Sequence, residues 1–154
     1  MIFNSTKGFT LIEILFVLSI LGILFAIVTP QFNRMKDNQI LNSTTDEVLS
    51  TINKASSQSL ASFDSSAYGV AFASDRVTLF KGTVYDVNAV TNEVVYLKSP
   101  AIISNISFGG VSSLYFNRLT GVPSANGSFS IELSSGSDAE KVISIDATGR
   151  ISTN

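Results

Sequence analysis

The chain shows three hydrophobic patterns in succession. Between residues 9 and 29 it reads FTLIEILFVLSILGILFAIVT, with Glu13 as the one ionisable side chain. Apolar character on every face predicts a helix surrounded by lipid or by other helices. At about 1.5 Å per residue, the run is long enough to cross a hydrocarbon core of about 30 Å. From residue 31 to 63 the pattern becomes amphipathic: Phe32, Met35, Leu41, Val48, Leu49, Ile52, Ala55, Leu60 and Phe63 recur mostly at helical spacing, with polar residues between them. Their stripe predicts a helix packed on a sheet. Thr44 and Glu47 have the spacing of a capping box, so a bend and restart is expected near residues 42–45. Serines at 56, 57, 59, 62, 65 and 66 mark the helix end and a loop.

After residue 67 the period shortens. Segments 68–73, 76–80, 93–97, 102–108, 113–117, 129–133, 142–146 and 150–152 are short, rich in β-branched and aromatic residues, and bounded by Gly, Ser, Asn or Pro. Sequential short strands predict antiparallel pairing, with Ser74-Asp75 and Thr148-Gly149 as hairpin turns. The fold class is therefore α+β: a long N-terminal helix, half membrane-spanning and half amphipathic, packed on an antiparallel β-sheet.

Composition narrows the chemistry. The 154 residues include no Cys and no His, which removes disulfides, thiolate and imidazole metal sites, Cys nucleophiles and Ser/His/Asp triads together. What remains for an enzyme is Ser/Lys or paired-carboxylate chemistry, and no motif gathers those residues, so neither catalysis nor a cofactor is expected. Only 14% of residues are charged and the net charge is -2, so no global field attracts nucleic acid. Asp138, Glu140 and Asp146 lack the spacing of a calcium loop, and no metal site is expected.

Glu13 stands out within the apolar run. A carboxylate there costs about 2.5–3.5 kcal/mol at mid-bilayer, and such residues usually have a partner. Lys7 lies six positions back, nearly on the opposite helix face, so the partner is expected from another chain. The competing reading is a Glu13 solvated among headgroups near the helix end. Gly22 and Pro30 are the other unusual positions: Gly weakens a helix by about 1 kcal/mol relative to Ala, and Pro removes a backbone donor, so a kink or local melting is expected there. A cleaved secretory signal, with Lys7 as its charged region and residues 14–28 as its apolar region, is disfavoured by the length of the run and by Glu13. Basic residues flank both ends, so charge does not set the orientation.

The segment Lys7-Gly8-Phe9-Thr10-Leu11-Ile12-Glu13, followed by the apolar run, closely resembles the signal of type IV pilins and of the pseudopilins of type II secretion systems. The resemblance implies a pilin-like fold divided into a leader (1–8), a transmembrane or filament-core helix (9–29), an amphipathic helix (30–63) and an antiparallel β domain (64–154). It implies cleavage between Gly8 and Phe9 by a membrane prepilin peptidase that recognises Lys7 and Gly8, and N-methylation of Phe9. It further implies that Glu13 pairs with the Phe9 amine of a neighbouring subunit and so sets assembly register. The implied partners are other pilin or pseudopilin subunits, the peptidase, and an inner-membrane assembly platform with its ATPase. The implied location is the inner (cytoplasmic) membrane, single-pass, with the C-terminal domain extracytoplasmic, and afterwards a pilus or pseudopilus.

Within residues 67–152, Leu114-Tyr115-Phe116-Asn117-Arg118-Leu119-Thr120-Gly121-Val122-Pro123, Ser130-Ile131-Glu132-Leu133 and Ile145-Asp146-Ala147-Thr148-Gly149-Arg150-Ile151 look like the GspH/FimT-type minor pseudopilin domain. That resemblance puts a minor pseudopilin ahead of a major pilin. A DNA-binding minor pilin is the further alternative. Arg76, Lys81, Lys98, Arg118, Lys141 and Arg150 are dispersed and outnumbered by acids, so nucleic acid is not an expected partner unless folding gathers Arg118 and Arg150.

Overall fold

A computed structural model describes residues 8–134 and 139–154, with the backbone alone at residues 29, 30 and 33. The chain divides into two compact units, residues 1–36 and 37–154, each described by itself below. One helix, α1 (Leu11–Leu60), contributes to both. Thr10 caps its start: the Glu13 amide donates to the Thr10 hydroxyl at 3.3 Å and to the Thr10 carbonyl at 3.1 Å.

In the first unit α1 is continuous past Gly22 and Pro30. Phe32 and Met35, expected on the buried stripe, are exposed instead.

In the second unit the buried stripe of α1 is Leu41, Val48, Ile52, Ala55 and Ser59, with Thr44, Thr45 and Thr51 also buried. The expected restart at Thr44 does not occur. The Thr45 hydroxyl donates to the Leu41 carbonyl at 2.7 Å and the Thr51 hydroxyl to the Glu47 carbonyl at 3.0 Å. These back-bonds satisfy hydroxyls on the helix itself, so polar residues sit in the core without breaking it. Leu60 and Phe63, also expected in the stripe, are exposed where α1 ends.

All eight expected strands form, each within two residues of its expected ends: β1 (Tyr68–Phe72), β2 (Arg76–Lys81), β3 (Glu93–Tyr96), β4 (Ala101–Ser107), β5 (Ser113–Phe116), β6 (Gly127–Leu133), β7 (Glu140–Ile145) and β8 (Ile151–Thr153). They build two four-stranded antiparallel sheets rather than one, ordered β3-β2-β1-β5 and β4-β6-β7-β8. Both expected hairpins are present, β1–β2 and β7–β8. Alternation decides which residues face in: Val70, Phe72, Val77, Leu79, Leu114 and Phe116 from the first sheet join Ile103, Phe129, Ile131, Ile143 and Ile145 from the second. The helix stripe completes that single core, in which Phe72 lies 4.6 Å from Phe129 and 5.3 Å from Phe108 between ring centroids. Gly127 opens β6 because any side chain there would collide with the Ser107 carbonyl.

Candidate processing and assembly site

Gly8 and Phe9 lie just ahead of α1, and Lys7 lies outside the described residues. A Cβ at Gly8 would meet no atom within 4 Å, and neither would one at Gly22. Among the described residues, nothing leaves too little room for a side chain at either position.

Phe9 is 80% exposed, and Glu13 is exposed one helical turn further on. With Ile14, Val17 and Leu18 the two line a shallow apolar groove along the helix. Among the described residues Glu13 has no ion-pair partner. From Leu11 to Val28 the mean hydropathy is 2.9, and no residue of that window is buried by its own chain. Side chains of this size are each about 1.5–3 kcal/mol better off out of water. This stretch of helix is long and apolar enough to cross a membrane.

The sequence-selected arginines sit elsewhere, on two adjoining loops. The Arg118 guanidinium donates from Nη1 to the Ser65 carbonyl at 2.9 Å. Arg150 follows the β7–β8 turn, where a Cβ at Gly149, which has φ of 87°, would lie 3.1 Å from the Gly121 carbonyl oxygen. The loops thus touch through their glycines. That turn is organised by Asp146, whose Oδ1 accepts from the Thr148 hydroxyl at 2.5 Å, the Thr148 amide at 2.8 Å and the Arg150 amide at 3.1 Å. The Thr148 hydroxyl first, then the amides of Thr148 and Arg150 and the Arg150 charge, hold the Asp146 carboxyl below its usual range. Asp138, weighed above as a calcium ligand, lies outside the described residues.

One constellation had no clear signal in the sequence. Where α1 ends, Ser62, Asp64 and Ser65 have φ of 51°, 47° and 53°, and Leu119 on the facing loop has φ of 68°. For residues with a Cβ this left-handed region costs about 1–2 kcal/mol each, so surrounding contacts must hold them. They do: the Leu119 amide donates to the Ser59 carbonyl at 2.9 Å, Lys81 pairs with Asp64 at 3.1 Å, and Arg118 binds Ser65. The Ser59 hydroxyl, fully buried, accepts from the Tyr68 amide at 2.8 Å and donates to the Tyr68 carbonyl at 3.2 Å, tying the last turn of α1 to β1. A serine at the next position of the apolar stripe after Ala55 is the one hint the sequence offered.

Residues 3–29 match the family model of the prokaryotic N-terminal methylation motif. No curated protein and no solved structure matches the chain. The motif ends where the apolar run ends, and does not reach the region likened to minor pseudopilins. Gly8, Phe9, the exposed Glu13 and the unburied apolar stretch of α1 all fall inside the matched residues, and this N-terminal segment is similar to the type IV pilin-like methylation signal.

Proposed function

We propose that the chain is a structural subunit of a type IV pilin-like filament, with the minor pseudopilin role ahead of the major pilin role. One observation carries the reading: the methylation motif over residues 3–29 coincides with a stretch of helix, Leu11–Val28, whose apolar surface is buried by none of the described residues. In this reading prepilin peptidase cuts between Gly8 and Phe9 on the cytoplasmic face, recognising Lys7 and Gly8, and methylates the Phe9 amine. The subunit then waits in the inner membrane with residues 37–154 outside. The assembly platform and its ATPase move it into the filament, where the span exchanges lipid for neighbouring helices. Gly22 and Pro30 are the positions where α1 loosens during that exchange.

Glu13 gives the step its register. An unpaired carboxylate in an apolar layer is unfavourable by several kcal/mol, and the cationic amine of a neighbour's Phe9 relieves that cost at one axial offset only. The minor role rests on the likeness of residues 114–123, 130–133 and 145–151 to minor pseudopilins. Glu13→Ala tests the reading. The variant should be cleaved like the parent chain yet be depleted from sheared filaments, as measured by blotting both fractions. Incorporation at the parental level would overturn the register role, and unprocessed parent chain would overturn the whole reading.

A further inference from the structure

Two surfaces in residues 37–154 are apolar, exposed, rigidly held and opposite in residual charge. The first is the loop between β2 and β3, residues 82–92. Val84, Val87 and Val90 are 79%, 64% and 100% exposed there. The loop is nevertheless well ordered. Tyr85 packs on Phe80 with ring centroids 5.4 Å apart, Asp86 Oδ1 accepts the Asn88 amide at 2.9 Å, and the Asn92 side-chain amide donates to the Asp86 carbonyl at 2.7 Å. Its only charge is Asp86, which has no ion pair among the described residues.

The second surface lies where α1 ends. Leu60, Phe63 and Leu119 are each more than half exposed, and Val122 beside them is 39% exposed. A Cβ at Gly121 would lie 3.7 Å from Leu60 Cδ1, so the 117–123 loop rests on the last turn of the helix. Four of the five non-glycine residues with positive φ among the described residues occur here. Such strain persists where a surface is held in a fixed shape, and it clusters at sites of binding. Lys81 and Asp64 neutralise each other, whereas the Arg118 guanidinium is bound only to a backbone carbonyl and forms no ion pair among the described residues.

We propose that the 82–92 loop of one copy docks on the Leu60–Leu119–Val122 surface of the next, with Asp86 meeting Arg118 across the contact. This rests on the filament-subunit reading in its major-pilin form, in which copies of this chain neighbour one another, and names the surfaces through which residues 37–154 add to it. The chemistry selects the occupant: each surface is an apolar patch bearing a charge with no ion pair among the described residues, Asp86 on one and Arg118 on the other, and the two charges are opposite. Because the two patches are different parts of the chain, the contact is heterologous. Such contacts repeat head to tail and generate open assemblies rather than closed dimers. A single loop covers less than the roughly 1,200–2,000 Å² of a stable interface, so the contact forms between copies already gathered by their apolar helices. Ordered loops keep the entropic cost of docking low.

The absence of Cys from the chain makes the test clean. The full-length chain carrying Val87→Cys and Leu119→Cys is expressed in cells and oxidised in membranes and in sheared filaments. A ladder of disulfide-linked multimers from the double variant, with monomer from each single variant, is the expected result. Adding Asp86→Arg should lower the ladder about tenfold, and Arg118→Glu in the same chain should restore it. Dimers from Leu119→Cys alone would mean a symmetric contact and would overturn the proposal. So would filaments of the double variant that show no ladder, a result that leaves the filament reading intact. A ladder in membranes with no filament would support the contact and count against the filament reading. Neither ladder nor filament, with the leader uncleaved, would overturn both.

Discussion

Residues 11–36 and residues 37–154 use apolar side chains in opposite ways. In the first, Phe16, Ile23 and Phe25 are more than half exposed, and no residue from Leu11 to Val28 is buried. In the second, Ile52, Val70, Phe116, Phe129, Ile131 and Ile143 are fully buried in one core. The same residue types therefore do two jobs. Inside residues 37–154 they drive folding of one chain, and in the N-terminal helix they form an exposed surface long and apolar enough to cross a membrane. Burial, more than composition, separates a folding core from an anchor.

The widest contrast comes from truncating one aromatic in each region. Phe129→Ala should destabilise residues 37–154 by about 3–5 kcal/mol, because a large ring is lost from a close-packed site that cannot collapse around it. Phe16→Ala should change the same unfolding transition by less than about 0.5 kcal/mol, since that ring touches no core. Thermal melts of the detergent-solubilised chain measure both. Equal losses would erase the distinction between the regions.

A middle-sized effect sharpens how the amphipathic half of α1 is fastened. Ser59→Ala removes the acceptor of the Tyr68 amide and leaves that buried donor unpaired, an expected loss of about 1–3 kcal/mol. Hydrogen exchange should then quicken at Tyr68 before it does at Val70. Unchanged exchange and stability would mean the tether is dispensable.

The smallest effect is electrostatic. Asp146 has its carboxyl pKa lowered by the Thr148 hydroxyl and the amides around it, so its ionised form favours the fold. That contribution is present above the unfolded value of 3.8 and is lost as pH falls through the lower folded value. Asp146→Asn should flatten the acid limb of the melting curve of residues 37–154 slightly, with no change near neutrality. Carboxyl resonances followed by NMR against pH check the direction of the shift.

Much of this architecture was legible because it rests on periodicity. An apolar run of that length is long enough to cross a membrane, and Val77, Leu79, Phe129, Ile131 and Ile143, Ile145 alternate as strands must. Three features were not legible, each for a physical reason. Thr44 and Glu47 have the spacing of a cap, yet local hydrogen bonding by Thr45 and Thr51 and burial of the stripe carry the helix through. Partition into two sheets depends on which strands pair at long range: β5 joins β1 while β4 joins β6, and no local signal encodes that choice. The left-handed residues at Ser62, Asp64, Ser65 and Leu119 are dictated by contacts between loops distant in sequence. The processing signal is the opposite case. The methylation motif is a short linear segment matched over residues 3–29, so it is legible in the residues themselves.

The central claim is that Gly8 and Phe9 are the junction at which the chain is cut and modified before assembly. Intact-mass and N-terminal mass spectrometry of the membrane and filament fractions measures this directly. A mature chain beginning at N-methylated Phe9 and retaining the whole apolar helix is the expected result. A chain that keeps Met1 through Gly8, or one cut beyond residue 29 with the helix removed, would contradict it.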